Sequence, residues 1–278
     1  MGVAIPFFRV DESLCRKDGI CAKVCPERII KGAVGEVPSV GEKFLGRCIS
    51  CGQCMAFCPT RACVAPGVDP DDGRALRPEV YPTPEQVEEL VFARRSIRNF
   101  KDATVPREVL FRILDAVRFA PTGKNRQPLR WIVTEGREKS RSLLELIIDW
   151  LRGLPETDPA MAERIHAAGV ARAWDKGMDI LSRNAAHIII VVGRDTYQDG
   201  LDALVNLSYC ELLAQAHGVG CCWSGYLTRA FRHPSAGPVR EFLGLLPGEA
   251  AFSALIAGVP QFRAVSRPPR NPVRVTWK

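Results

Sequence analysis

Two cysteine runs near the N-terminus carry the clearest chemistry in this chain. The first reads Cys15, Cys21 and Cys25-Pro26, the second Cys48, Cys51, Cys54 and Cys58-Pro59. The second is a complete C-x-x-C-x-x-C-x-x-x-C-P run, the ligand spacing of an iron–sulfur centre. The first keeps the same register but has Asp18 where the second has Cys51. Three thiolates close together on one loop grip three irons of a cube, while the cysteine before proline turns away to the other cube. One site is therefore expected to take Cys48, Cys51, Cys54 and Cys25. The other takes Cys15, Cys21 and Cys58, with Asp18 as candidate fourth ligand. A carboxylate is a harder and more labile ligand than a thiolate. That second site is thus either an aspartate-ligated 4Fe–4S centre or a 3Fe–4S centre. Cys63 follows the second run and reads as packing against it, not as a ligand. Zinc ribbons also use C-x-x-C pairs, but zinc gives no reason for three cysteines in one run followed by Cys-Pro.

On these runs, residues 5–66 resemble a bacterial two-cluster ferredoxin, which implies a protein that moves single electrons. Three further segments could hold a different group. Arg94-Arg95-Ser96-Ile97-Arg98 gathers three guanidiniums and a hydroxyl, a receptor for phosphate oxygens. Ala120-Pro121-Thr122-Gly123-Lys124-Asn125-Arg126-Gln127-Pro128 is rich in amide side chains, which present donor and acceptor together. Gly218-Val219-Gly220-Cys221-Cys222-Trp223-Ser224-Gly225-Tyr226 has small residues that let backbone approach a planar ring.

In this order and spacing the three segments resemble the FMN-dependent nitroreductase family, and the likeness runs over about residues 88–278. The ending Ala257-Gly258-Val259-Pro260 with Arg267-Pro268-Pro269-Arg270 is also similar to that family's. The resemblance implies an α+β sandwich that dimerises through a helical interface and holds FMN between subunits. On the matched positions Arg94, Ser96 and Arg267 would contact the FMN phosphate. Arg95 and Arg98 would lie near the ribityl chain and ring, Arg98 toward N1 and O2. Asn125 would bond the pyrimidine edge, and backbone at Ser224 and Gly225 would face flavin N5. One departure is Leu129, where family members often carry an aromatic after Gln-Pro.

The elements that must position these groups follow from local pattern. Thr83-Pro84-Glu85-Gln86 is a helix start with a capping box, and its helix is expected to turn Val87, Leu90 and Val91 inward. A helix over 106–119 shows Val109, Leu110, Ile113, Leu114 and Val117 at helical spacing. Strands are expected at Trp131–Thr134, His187–Val192 and Phe252–Ala257, with long helices over 137–152 and 201–217. The fold class is α+β: a ferredoxin-like iron–sulfur domain (1–66), a Pro/Gly/Asp-rich linker (67–86) and an FMN-binding nitroreductase-like sandwich (87–278). The segment 153–184 matches no motif and reads as a candidate substrate lid. Cys210, Cys221 and Cys222 read as small buried hydrophobes. The four histidines form no metal or triad pattern.

Composition is that of an ordinary soluble globular protein. The chain has 278 residues, 46% hydrophobic and 25% charged, which suits about two domains. Eleven cysteines, seven of them at ligand spacing, point to a reducing compartment. Met1-Gly2-Val3-Ala4-Ile5-Pro6 shows neither signal-peptide nor myristoylation features. The longest aliphatic run, Ile188 to Val192, is too short for a bilayer. The expected location is cytoplasmic, without membrane contact. A formal charge of +7 omits cluster thiolates and a cofactor phosphate, and the basic residues form no stripe, so no nucleic-acid partner is expected.

These readings converge on an iron–sulfur flavoprotein oxidoreductase, a homodimer with FMN and two clusters. Its expected donor is NAD(P)H or reduced ferredoxin, and its acceptor a small electron-poor molecule such as a nitroaromatic or quinone. The rivals are a flavin reductase of another class, a dehalogenase or enone reductase, and an electron-transfer module serving a partner enzyme.

Overall fold

The structure, a computed structural model, describes residues 7–69, 73 and 75–278. The N-terminal hexapeptide and part of the expected linker lie outside the described residues. The chain divides into two compact units, Met1–Tyr81 with Lys124–Arg126, and Pro82–Gly123 with Gln127–Lys278.

The first unit is built on an internal repeat. Strand β1 (Arg9–Val10) is followed by helix α1 (Ile20–Val24), strands β2 (Ile30–Lys31) and β3 (Ser39–Val40), helices α2 (Glu42–Leu45) and α3 (Gln53–Ala56), and strand β4 (Cys63–Val64). β1 pairs antiparallel with β4 and β2 with β3, two residues each. α1 and α3 each start from a glycine in the left-handed region, Gly19 at φ 71° and Gly52 at φ 69°. That conformation is open to glycine at no steric cost, and it sets Cys21 and Cys54 on equivalent first turns.

The second unit is a four-stranded antiparallel sheet with helices on both faces. Its elements begin with helices α4 (Pro84–Ala93) and α5 (Arg107–Val117), strand β5 (Arg130–Val133), and helices α6 (Gly136–Thr157), α7 (Pro159–Arg164) and α8 (Ala167–Asp175). Strand β6 (His187–Arg194), helix α9 (Tyr197–Ala216), strand β7 (Gly220–Trp223), helices α10 (Gly225–Arg232) and α11 (Gly237–Phe242), and strand β8 (Glu249–Gly258) complete it. The strand order is β5-β6-β8-β7. β6 is apolar on both faces because both are covered. Ile188, Ile190 and Val192 join a core with α6, α7, α8, α10 and α11, whereas Ile189 and Val191 join another with α5 and α9. This is the expected α+β sandwich.

Two local expectations are corrected. Thr83 caps α4 with the full capping box, yet Val87 and Val91 are 42% and 50% exposed. Their stripe is real, but nothing among the described residues covers it. The segment 153–184 is not a loose lid either. Leu154, Ile165, Ala167, Val170 and Leu181 are buried in the core, so burial of apolar surface fixes it in place. Strand β7 is a third difference; its four residues between glycines were too short to signal a strand.

His187 is a satisfied core histidine. Its Nε2 accepts the Val105 N–H at 3.1 Å and its Nδ1 donates to the Thr134 carbonyl at 2.9 Å.

Arg130 and Glu249 link the starts of β5 and β8 across β6 with two bonds, Nε–Oε1 at 2.9 Å and Nη2–Oε2 at 2.6 Å. The Arg130 hydrogen bond, helped by the Leu246 N–H, outweighs burial and holds the Glu249 carboxyl at about 2. A lowered folded-state value gives stability that is full above the ordinary carboxylate range and is lost as pH falls toward 2. Glu249→Gln is therefore expected to cost about 1 kcal/mol at pH 7, since Arg130 is partly exposed. The gap from wild type should narrow at pH 3. Urea unfolding followed by tryptophan fluorescence checks this, because all five tryptophans (131, 150, 174, 223 and 277) lie in the second unit.

Candidate cofactor sites

The first unit holds two separate cavities, and cysteines line both. Cys25, Cys48, Cys51 and Cys54 line one, walled by Ile29, Ile30 and Leu45. Cys15, Asp18, Cys21 and Cys58 line the other, together with Cys63. The remote cysteine of each run therefore shares a cavity with the other run's ligands. Among the described residues no three His, Cys, Asp or Glu side chains are placed to hold a single ion. A cube takes one thiolate from each iron and spreads its ligands apart, so these donor sets fit a cube.

Burial pushes the Cys54 thiol up to about 12, with Cys51, Cys48 and Cys21 adding to it. Such a sulfur ligates only once a metal displaces its proton. Cys58 differs. Burial raises it, but the Thr60 hydroxyl and the N–H groups of Thr60, Ala62 and Cys63 outweigh this and hold it below its ordinary value. The Ala62 N–H reaches its sulfur at 3.2 Å. Arg16 and Lys17 also line the second cavity and place positive charge beside a site for an anionic cluster. Cys63, read from sequence as packing against the second run and not as a ligand, lines this cavity and is 3% exposed.

In the second unit the arginine segment leaves α4 and lies along β7, where the Ile97 N–H donates to the Cys221 carbonyl at 2.9 Å. Gly220 makes this possible, since a Cβ there would meet Ile97 Cγ2 and Pro260 Cγ at 2.9 Å. Beyond it Phe100 pairs with Pro260, and the Lys101 N–H reaches the Val259 carbonyl at 2.8 Å. The chain's two ends of this unit are thereby drawn together. The Arg267 guanidinium stacks 3.6 Å from the centroid of the Phe92 ring, and Arg95 Nη2 donates to the Phe92 carbonyl at 2.5 Å. Arg94, Arg95 and Arg267 are thus gathered at the end of α4. Arg95 Nε is buried with no partner among the described residues. A buried donor without an acceptor is costly, and an anion such as a phosphate would satisfy it.

Glu211 on α9 is the residue sequence reasoning missed here. It is 8% exposed, accepts from Arg94 Nη1 at 3.1 Å and from Trp223 Nε1 at 3.0 Å. It ties the arginine segment to α9 and β7 and fixes the Arg94 fork.

The remaining expected residues are placed as follows. Arg98 is exposed, with Nη1 3.4 Å from the Ser96 carbonyl. Ser224 caps α10; its N–H is given to the Ala254 carbonyl at 3.1 Å, and its carbonyl accepts from Thr228. Of the Ser224-Gly225 pair, the exposed Gly225 is the one whose N–H remains for a ligand, its carbonyl accepting from Arg229 Nη1 at 2.8 Å. Asn125 groups with the first unit, where its amide donates to the carbonyls of Ile49 at 3.3 Å and Ser50 at 2.9 Å. Leu129 packs toward Gly193, where an added Cβ would sit 2.9 Å from its Cδ2, so it fills the core. Cys210, Cys221 and Cys222 are buried as read from sequence, and burial pushes Cys210 up to about 12.

Comparison with known proteins adds to this geometry. Residues 91–259 match the profile of the nitroreductase family, and residues 7–59 match that of the 4Fe-4S dicluster domain. The chain is 28% identical over 177 residues to a protein of Archaeoglobus fulgidus provisionally named NADH dehydrogenase/NAD(P)H nitroreductase, covering 64% of this chain and 87% of that one. Its fold is similar to a nitroreductase with bound FMN from Bacteroides fragilis, with TM-score 0.57 and 18% identity over 69% of this chain and 99% of that one. It is also similar to a nitroreductase with bound FMN from Desulfitobacterium hafniense, with TM-score 0.54 and 23% identity over 69% and 97% of the two chains. No helix among the described residues is long and apolar enough to cross a membrane.

Proposed function

Since the chain belongs to the nitroreductase family and carries an N-terminal 4Fe-4S dicluster domain, we propose that it passes electrons by way of two iron–sulfur clusters and FMN to an electron-poor organic acceptor. A nitroaromatic or a quinone has the required chemistry. The observation that carries this reading is the joint presence of two cysteine-lined cavities and a gathered arginine receptor in one chain. Bound FMN supplies the exchange between single electrons and electron pairs.

The chain's own residues have definite tasks in this reading. Cys25, Cys48, Cys51 and Cys54 hold one cluster. Cys15, Cys21 and Cys58 hold the other, and both Asp18 and Cys63 line its remaining side. Arg94, Ser96 and Arg267 bind the FMN phosphate, and the orphaned Arg95 Nε adds a donor. Glu211 keeps Arg94 in position. Arg98 places a fixed cation near the pyrimidine side, which favours negative charge on the reduced ring. The Gly225 N–H, at the start of α10, orients the ring edge.

A second copy of the chain completes the unit. Val87 and Val91 on α4, and Leu201, Leu204, Val205 and Tyr209 on α9, are all exposed, and α4 packs on α9. Apolar surface of this kind marks an interface. Sedimentation is expected to give a dimer, and Leu204→Asp a monomer; a monomeric wild type would remove this part of the reading.

The function is tested by anaerobic turnover with NADH, NADPH or a reduced low-potential ferredoxin as donor, and a nitroaromatic or quinone as acceptor. Saturable turnover with at least one pair is expected. Slow, non-saturating reduction of every acceptor would instead identify an electron carrier for a partner enzyme.

A further inference from the structure

We propose that Cys63, and not Asp18, supplies the fourth protein ligand of the second iron–sulfur site. The inference rests on the cluster reading of the first unit. Five donor groups line that cavity, Cys15, Asp18, Cys21, Cys58 and Cys63, whereas a cube takes four, one per iron.

The internal repeat identifies the extra donor. Asp18 stands where the other half has Cys51, just before the left-handed glycine. Cys63 stands five residues after Cys58, and five residues after Cys25 the other half has Ile30. Both residues open equivalent strands, Ile30 in β2 and Cys63 in β4. Ile30 lines the cavity that has four cysteines of its own, and Cys63 lines the cavity that has lost one. The site that lacks a thiol at the loop position thus gains one at the strand position.

Local geometry agrees. Asp18 Oδ1 accepts the Ile20 N–H at 3.0 Å, the bond that turns the chain into α1. A carboxylate drawn to iron would weaken that turn. Cys63 is held by the pairing of β4 with β1, opposite Val10, and is buried in one cluster with Cys21. It needs no change of backbone to remain in the cavity wall. Soft thiolate suits iron–sulfur irons better than carboxylate oxygen. On binding, the Cys63 S–H bond breaks, its proton passes to solvent and a sulfur–iron bond forms, with no change of oxidation state.

The test compares wild type, Asp18→Ala, Cys63→Ala and Cys63→Ile, prepared anaerobically and read by iron content and EPR before and after brief exposure to air. Wild type and Asp18→Ala are expected to keep two 4Fe–4S centres, about eight irons per chain. Both Cys63 variants are expected to lose about one iron of these and show the oxidised 3Fe–4S signal. Cys63→Ile restores the residue of the other half and guards against a packing defect. Should neither Cys63 variant fold, Asp18→Ala decides alone: two retained 4Fe–4S centres support the assignment, and a lost iron overturns it. Cys63 variants that keep both 4Fe–4S centres also overturn it, as does a wild type that holds a 3Fe–4S centre without oxygen. A wild type with no iron–sulfur absorption would instead refute the underlying cluster reading.

Discussion

Removal of iron is expected to unfold the N-terminal unit and leave the second unit folded. The first unit's core is Cys21, Ile29, Ile30, Cys54, Cys63 and Ala65, and half of these are cysteines. Its two sheets are two-stranded with two residues per strand, a size with marginal stability in water. A core this small commonly relies on a metal or disulfides to hold its fold, and all cysteines are free thiols here. The binding free energy of the clusters is then folding free energy. In contrast, the second unit has two cores, one on each face of the sheet. Treatment with chelator and oxidant should abolish protection of residues before α4 in limited proteolysis. Tryptophan fluorescence should stay native, since every tryptophan lies in the second unit. An iron-free first unit that still resists protease would show that its packing suffices.

Arg94→Ala is expected to lower FMN affinity about 100-fold, because a charge-assisted bond to phosphate contributes about 1.5–3 kcal/mol. It should also destabilise the second unit by about 2 kcal/mol, less than for a fully buried pair, because the Arg94 side chain is 31% exposed. The reason for the loss is Glu211, which is buried and, among the described residues, keeps only Trp223 as partner once Arg94 is gone. The two effects separate in a double variant. Arg94→Ala with Glu211→Leu removes the stranded charge and should regain most of the stability, while FMN affinity stays low. Glu211→Gln alone should weaken FMN about tenfold by loosening the Arg94 fork, a loss of one ordinary charged bond. Equilibrium titration of FMN and urea unfolding measure the two quantities. An Arg94→Ala chain with unchanged FMN affinity would move the phosphate site elsewhere.

Much of this was legible because the chemistry is local. The Cys-x-x-Cys spacings and the Arg94–Arg98 cluster carry their meaning within a few residues. The β6 run likewise announced a strand, though its cover on both faces emerged only from the fold. What escaped was decided by partners distant in sequence. Glu211 looks like any helix glutamate until Arg94 and Trp223 meet it. Its one signal was a charge beside Cys210 on a helix face with Leu207 and Ala214, which are fully buried. Val87 and Val91 showed a correct apolar stripe, but periodicity does not say what covers it. Helices α7 and α8 gave no motif because what fixes them is apolar packing into the core. Cys63 was readable in principle: aligning the two halves on Cys-Pro sets it against Ile30, a comparison that the ligand run by itself does not invite.

The central claim is that one chain holds FMN together with two iron–sulfur clusters. The direct measurement is the anaerobic visible spectrum of the purified protein, with iron, sulfide and FMN counted per chain, during stepwise reduction. The account predicts flavin bands over a broad iron–sulfur absorption, about eight irons per chain, and bleaching of both as electrons are added. A preparation that folds and contains iron but binds no flavin, or binds flavin but only zinc at its cysteines, would contradict it.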